Sequence, residues 1–264
     1  MKKILCPTDF SDISLNAIAY GAKLAQVSNA DLVLFHEHSL WSASPEEIIL
    51  GKSSLTESIA NELESQCIQI SKAFHISCYA DVIASGRSLV GLIEEFSSEF
   101  DMIVMGIDQD YDLFSYVFGS RAFQVSKHTE LPMILVPDEF TFEKIDRIAF
   151  AFDPSEKRET PIEQLTMWAE RWNSKITLLE GVQTEDPAPI SRVSHPGIGS
   201  EAIQVQHLSK SKMIDEIDQF MLEHNANVLA LFSRQRKFFE SMFHKSVIRE
   251  MTRKATYPLF IFHR

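Results

Sequence analysis

The chain has 264 residues, 45% of them apolar and 23% charged, with only nine glycines and ten prolines. That composition excludes collagen-like and low-complexity chains and predicts a real core, enough for one large domain or two of ordinary size. Lys and Arg number 25 against 37 Asp and Glu, a formal charge of −12, which argues against nucleic acid as the principal partner.

The chain opens Met1-Lys2-Lys3-Ile4-Leu5-Cys6-Pro7-Thr8-Asp9, whose apolar stretch of three residues falls far short of a signal-peptide core. No apolar run approaches the roughly eighteen residues that a membrane span needs. The three cysteines, Cys6, Cys67 and Cys78, form no C-x-x-C and read as reduced, partly buried thiols. Together these features predict a cytoplasmic protein with no membrane partner.

In chain order, residues 4–6, 32–35, 78–84, 102–105 and 133–136 form short apolar runs without alternation, the pattern of strands covered on both faces of a parallel sheet. Between the first two, Leu15, Ile18, Ala22 and Ala25 lie on one helical face. Leu55, Ile59, Leu63 and Ile70 do the same, with Ser54 and Glu57 spaced as a capping box. Ser88 caps a third helix carrying Leu89, Leu92, Ile93 and Phe96. Gly106 begins a loop that runs to Gly119-Ser120, and helical periodicity resumes with Arg121, Ala122 and Val125. Strand and helix alternate throughout, so an α/β fold is predicted.

The second half repeats this plan. Pro132 and Pro258, Gly106 and Phe232, and Ser120 and Ser246 are each separated by 126 positions. Residues 3–9 and 147–153 are both apolar strands ending on Asp. Such an ordered set implies two copies of one unit, and the interruption at 138–145 divides the chain into domains 1–138 and 146–264. In the second domain, residues 148–152 and 176–179 read as strands. Ile162, Leu165, Ala169 and Trp172 mark one helix, and Ile214, Ile217, Phe220 and Met221 another. Residues 183–199, with Pro187, Pro189 and Pro196, read as a loop.

In open parallel sheets, ligands collect at the carboxyl ends of strands whose connections leave in opposite directions. That rule selects Thr8 and Asp9, His36 and Glu37, and Gly106. Backbone N–H groups of Ser120, Arg121 and Ala122 at a helix start form an anion seat. Pro7-Thr8-Asp9-Phe10-Ser11, Leu34-Phe35-His36, Asp101-Met102-Ile103-Val104-Met105-Gly106, Gly119-Ser120 and Leu131-Pro132-Met133-Ile134-Leu135-Val136 together resemble the universal stress protein family.

The resemblance implies a tandem member built of two five-stranded parallel, doubly wound, Rossmann-like sheets. Their last strands, 133–136 and 259–262, would pair as an intramolecular pseudo-dimer; assembly beyond that stays open, a homodimer included. It also implies an adenine nucleotide site of the ATP-binding branch. Asp9, with Thr8 beside it, matches the acidic residue near the nucleoside, and Glu37 falls where main-chain atoms recognise adenine. Gly106, Gly119 and Ser120, followed by Arg121, match the phosphate loop, whose second glycine falls on Gln109.

Asp108, Asp110 and Asp112 place carboxylates in that loop, and two like charges a few ångströms apart repel by roughly 1–4 kcal/mol at dielectrics of 80 to 20. With Mg bridging, Asp108 and Asp110 become cation ligands instead; without it, the loop is a solvated acidic one. The second domain has Phe232 and Lys245 where the first has Gly106 and Gly119, and reads mainly as a structural partner. Seven Lys and Arg between 234 and 254, against Glu240 and Glu250, make a basic face for an anion or acidic partner, or a merely solvated one.

His36 and His38 share a strand face without a third metal ligand. No nucleophile elbow, zinc-protease helix or Walker loop occurs. The expectation is therefore a cytoplasmic stress-response protein that binds ATP or another adenine nucleotide in its first domain, without enzymatic activity beyond slow, incidental hydrolysis. The alternative is an interaction protein that binds no nucleotide.

Overall fold

Apolar runs flanked by amphipathic stretches build the strands and helices of a computed structural model that describes residues 2–39, 54–107, 121–152, 162–182, 191–193, 203–209, 212–233 and 256–263. The chain divides into two compact units, with the break between Phe142 and Glu143.

The first unit contains β1 (Lys3–Pro7), β2 (Asp31–Ser39), β3 (Cys78–Ser85), β4 (Met102–Ile107) and β5 (Met133–Pro137). They lie in the order β3-β2-β1-β4-β5, and every pairing is parallel. The helices are α1 (Asp12–Ser28), α2 (Ser54–Phe74), α3 (Leu89–Phe96) and α4 (Arg121–His128). β1 has β2 on one side and β4 on the other, so the connections diverge there and leave a crevice at the carboxyl ends.

Local sequence chemistry sets the helix ends. Ser11 caps α1 by accepting from the Ser14 N–H, and Asn29 closes that helix in the left-handed region at φ 48°, donating back to Ala25 and Gln26. Ser88 caps α3 as its sequence predicts, accepting from the Gly91 N–H at 3.3 Å. On α2, Leu63 and Cys67, one turn apart, are the buried residues, while Leu55 stands mostly in solvent. β1 and β5 bury nearly every residue, as continuous apolar runs should. β3 departs from that expectation: it is an edge strand, and Tyr79 is 52% exposed.

The second unit contains β6 (Arg147–Phe152), β7 (Lys175–Val182), β8 (Ser191–Val193), β9 (Ile203–Ser209), β10 (Val228–Ser233) and β11 (Leu259–His263), with helices α5 (Ile162–Trp172) and α6 (Met213–Glu223). Its order is β11-β10-β6-β7-β9-β8. Five of these strands are parallel and reproduce the first sheet's topology; β8 is antiparallel to β9. The stretch expected to be a loop thus contains a short strand, because β9 offers it a free edge.

Trp168 and Trp172 each meet Phe260 edge to face in this core and lie tilted at 35° to one another, with ring centroids 5.3–5.7 Å apart. Among the described residues, no helix is long and apolar enough to cross a membrane.

Candidate functional site

The carboxyl end of β1 carries the site. Thr8 follows that strand and is 6% exposed. Its N–H bonds to the Phe35 carbonyl at 2.8 Å, and its Oγ1 accepts from the Phe10 N–H at 3.1 Å and lies 3.0 Å from Ser14 Oγ. These bonds hold Phe10 at φ 64°, a conformation that a bulky residue adopts only under external constraint. The chain therefore turns sharply between β1 and α1 and presents Asp9 at the apex, exposed.

Asp9 is held as a carboxylate. Burial works against it, but donation from the Ser11 hydroxyl (2.6 Å) and N–H (3.1 Å), from the Ser14 hydroxyl, and the Arg121 charge together keep its pKa below the ordinary value. Arg121 is the first residue of α4, and its charge is near enough to favour the Asp9 carboxylate. Both were sequence candidates, and the fold brings them together.

His36 completes this wall. A carbonyl only accepts, so His36 Nδ1 donates to the Thr8 carbonyl at 2.8 Å. The ring also lies 5.0 Å from that of Phe10. Sequence reasoning selected His36 by its place at a strand end and weighed it as half a metal pair, and saw in Phe10 only part of a motif. The paired signal was a histidine directly after a strand's expected end and a bulky residue inside a turn. No group of three metal-ligating side chains occurs among the described residues.

Two positions differ from expectation. β2 continues to Ser39, so Glu37 sits inside the strand, in register with Ile83, rather than after its end. Side chains alternate along a strand, so Glu37 leaves the face opposite to His36. Gly106 likewise lies within β4, in register with Val136, and does not begin a loop. A Cβ there would come 2.5 Å from Ile13 Cγ2 and 2.6 Å from the Ile13 carbonyl oxygen. The close approach that requires glycine is thus that of α1. Asp108, Gln109, Asp110, Gly119 and Ser120 lie outside the described residues, as does the basic stretch 234–254.

The equivalent end of the second sheet is filled. Phe232, at the position matching Gly106, is 2% exposed and pairs in register with Phe262, their rings 5.7 Å apart. Glu180 and His207 are in register on β7 and β9, with Oε2 3.6 Å from Nδ1.

A sequence profile of the universal stress protein family matches residues 1–137. Among solved structures, a universal stress protein from Archaeoglobus fulgidus is 17% identical with a TM-score of 0.67, the alignment covering 99% of this chain and 96% of that one. A protein of unknown function from Pseudomonas aeruginosa is 12% identical with a TM-score of 0.53, covering 100% of this chain and 92% of its own. No curated protein matches the chain. The structural likenesses speak for the fold of both units. The profile match, which spans more than half of the residues and the whole strand-end site up to β5, shows that the chain belongs to the universal stress protein family.

Proposed function

We propose that the first unit binds an adenine nucleotide, with magnesium, in the crevice at the carboxyl ends of β1, β2 and β4, and that the protein serves a cytoplasmic stress response through that bound state. The observation that carries the reading is Asp9, kept ionised by Ser11, Ser14 and the Arg121 charge at the topological switch point. A carboxylate so placed accepts from ribose hydroxyls, while the guanidinium and the α4 start neutralise phosphate charge. Thr8 acts through the turn that it braces. Gly119 and Ser120 are assigned to the phosphates, and Asp108 and Asp110 to the cation, by the family pattern alone.

The reading is one of binding, not turnover, and the second unit is assigned no nucleotide because Phe232 occupies the matching position. Titration calorimetry with MgATP tests it: binding by the parent chain, weakened tenfold or more in Asp9→Ala and Arg121→Ala, is expected, a loss of about 1.4 kcal/mol per decade. Absence of binding at millimolar MgATP, with the protein folded, favours the interaction protein instead.

A further inference from the structure

All three cysteines of the chain belong to the first unit, and two of them meet at a pocket away from the β1–β2–β4 crevice. Cys67 lies on α2 and Cys78 opens the edge strand β3. They line one open pocket of about 630 Å³ together with Glu64, Ile68, Lys72 and Tyr79. Cys67 is 3% exposed as a residue yet borders this space, and Cys78 is half-buried. Cys6, on β1, is wholly buried and does not line the pocket.

We propose that Cys67 and Cys78 form an oxidant-responsive dithiol, converted by hydroperoxides to an intramolecular disulfide that ties α2 to the edge of the sheet. The Cys78 thiol donates to the Cys67 sulfur, which favours the Cys67 thiolate and pushes the Cys78 thiol up; burial and the nearby Glu64 charge pull the other way at Cys67 without reversing the direction. That asymmetry assigns the roles. The Cys67 thiolate attacks the peroxide: an S–O bond forms, the O–O bond breaks, and the leaving oxygen departs as water or alcohol once protonated. Sulfur is oxidised by two electrons to the sulfenic acid and the peroxide is reduced. The Cys78 sulfur then attacks the Cys67 sulfur; the S–S bond forms, the S–O bond breaks, and hydroxide leaves with the Cys78 proton as water. Both sulfurs border the same pocket, so the disulfide would close between the α2 and β3 sides of that space. Burial holds Cys6 protonated, so it takes no part.

The full-length protein tests this directly. It is exposed to equimolar hydrogen peroxide, its free thiols are counted under denaturing conditions, and a non-reducing tryptic digest is mapped. A fall from three thiols to one is expected, with peptide 53–72 linked to peptide 73–87 and Cys6 unmodified in peptide 4–23. In Cys78→Ser, Cys67 should be trapped by dimedone as a sulfenic acid; in Cys67→Ser, Cys78 should stay reduced under the same exposure. Three remaining thiols, a disulfide between chains, or Cys6 oxidised as fast as Cys67 would each overturn the proposal, and the digest of the unmodified sequence decides it even if a variant fails to fold.

Discussion

Replacing Gly106 by alanine separates two reasons for a glycine at that position. Its backbone is not in the left-handed region, so alanine brings no φ strain and gains about 0.4–1 kcal/mol by restricting the unfolded chain. Against this, the new methyl would sit 2.6 Å from the Ile13 carbonyl oxygen and 2.5 Å from its Cγ2, where contacts near 3.5–4.0 Å are comfortable. The first turn of α1 must retreat by about an ångström, and such overpacking costs roughly 1–3 kcal/mol. The clash wins, leaving a net loss of about 1–2 kcal/mol. With a urea m-value near 2 kcal/mol/M, the unfolding midpoint of the first unit should fall by about 0.5–1 M. Adding Ile13→Ala should restore only part of the loss, because the carbonyl remains. A midpoint equal to or above that of the parent refutes the seating of α1 on β4. An unchanged midpoint with weakened MgATP binding would instead mean that the glycine is reserved for a ligand.

Thr8→Val removes the bond to Ser14 and orphans the Phe10 N–H; a loss of about 1–2 kcal/mol in denaturant unfolding is expected. Tyr257→Phe deletes the 2.5 Å bond from the Tyr257 hydroxyl to Asp218 and should destabilise the second unit by about 1–3 kcal/mol, read as an earlier loss of near-ultraviolet dichroism. Asp9 has a folded pKa below its unfolded value, so its stabilisation is present above about pH 4 and disappears as pH falls through the folded pKa. The penalty of Asp9→Asn should therefore be largest at neutral pH and vanish in acid; a penalty that grows on acidification contradicts the assignment. In Arg121→Ala the Asp9 carboxyl should titrate higher than in the parent by NMR, because one stabilising charge is gone.

The parallel strands of the first unit were legible because β1, β4 and β5 are apolar at nearly every position, the mark of strands covered on two faces. The repeat carried that reading into the second unit, where β6, β7 and β11 fall on the expected runs. β9 was missed although Ile203-Gln204-Val205-Gln206-His207-Leu208-Ser209 largely alternates apolar and polar; it lies toward the sheet edge, with weaker hydrophobic density than the central strands. Three-residue β8 has no periodicity to read.

At the site, Thr8, Asp9 and Arg121 were legible from strand ends and motif. The role of Gly106 was not, because the neighbour that crowds it is more than ninety positions away in sequence, at Ile13. The His36–Thr8 bond depends in the same way on the parallel register of β1 and β2, and the Cys67–Cys78 contact on the seat of α2 beside β3.

Mapping backbone amide shifts during an MgATP titration of the intact chain asks most directly whether the strand-end crevice receives a nucleotide. Saturable shifts concentrated at Thr8, Asp9, Ser11, His36 and Arg121, and largely lost in Asp9→Ala, are predicted. Shifts confined to the second unit, or none at millimolar MgATP, contradict the assignment.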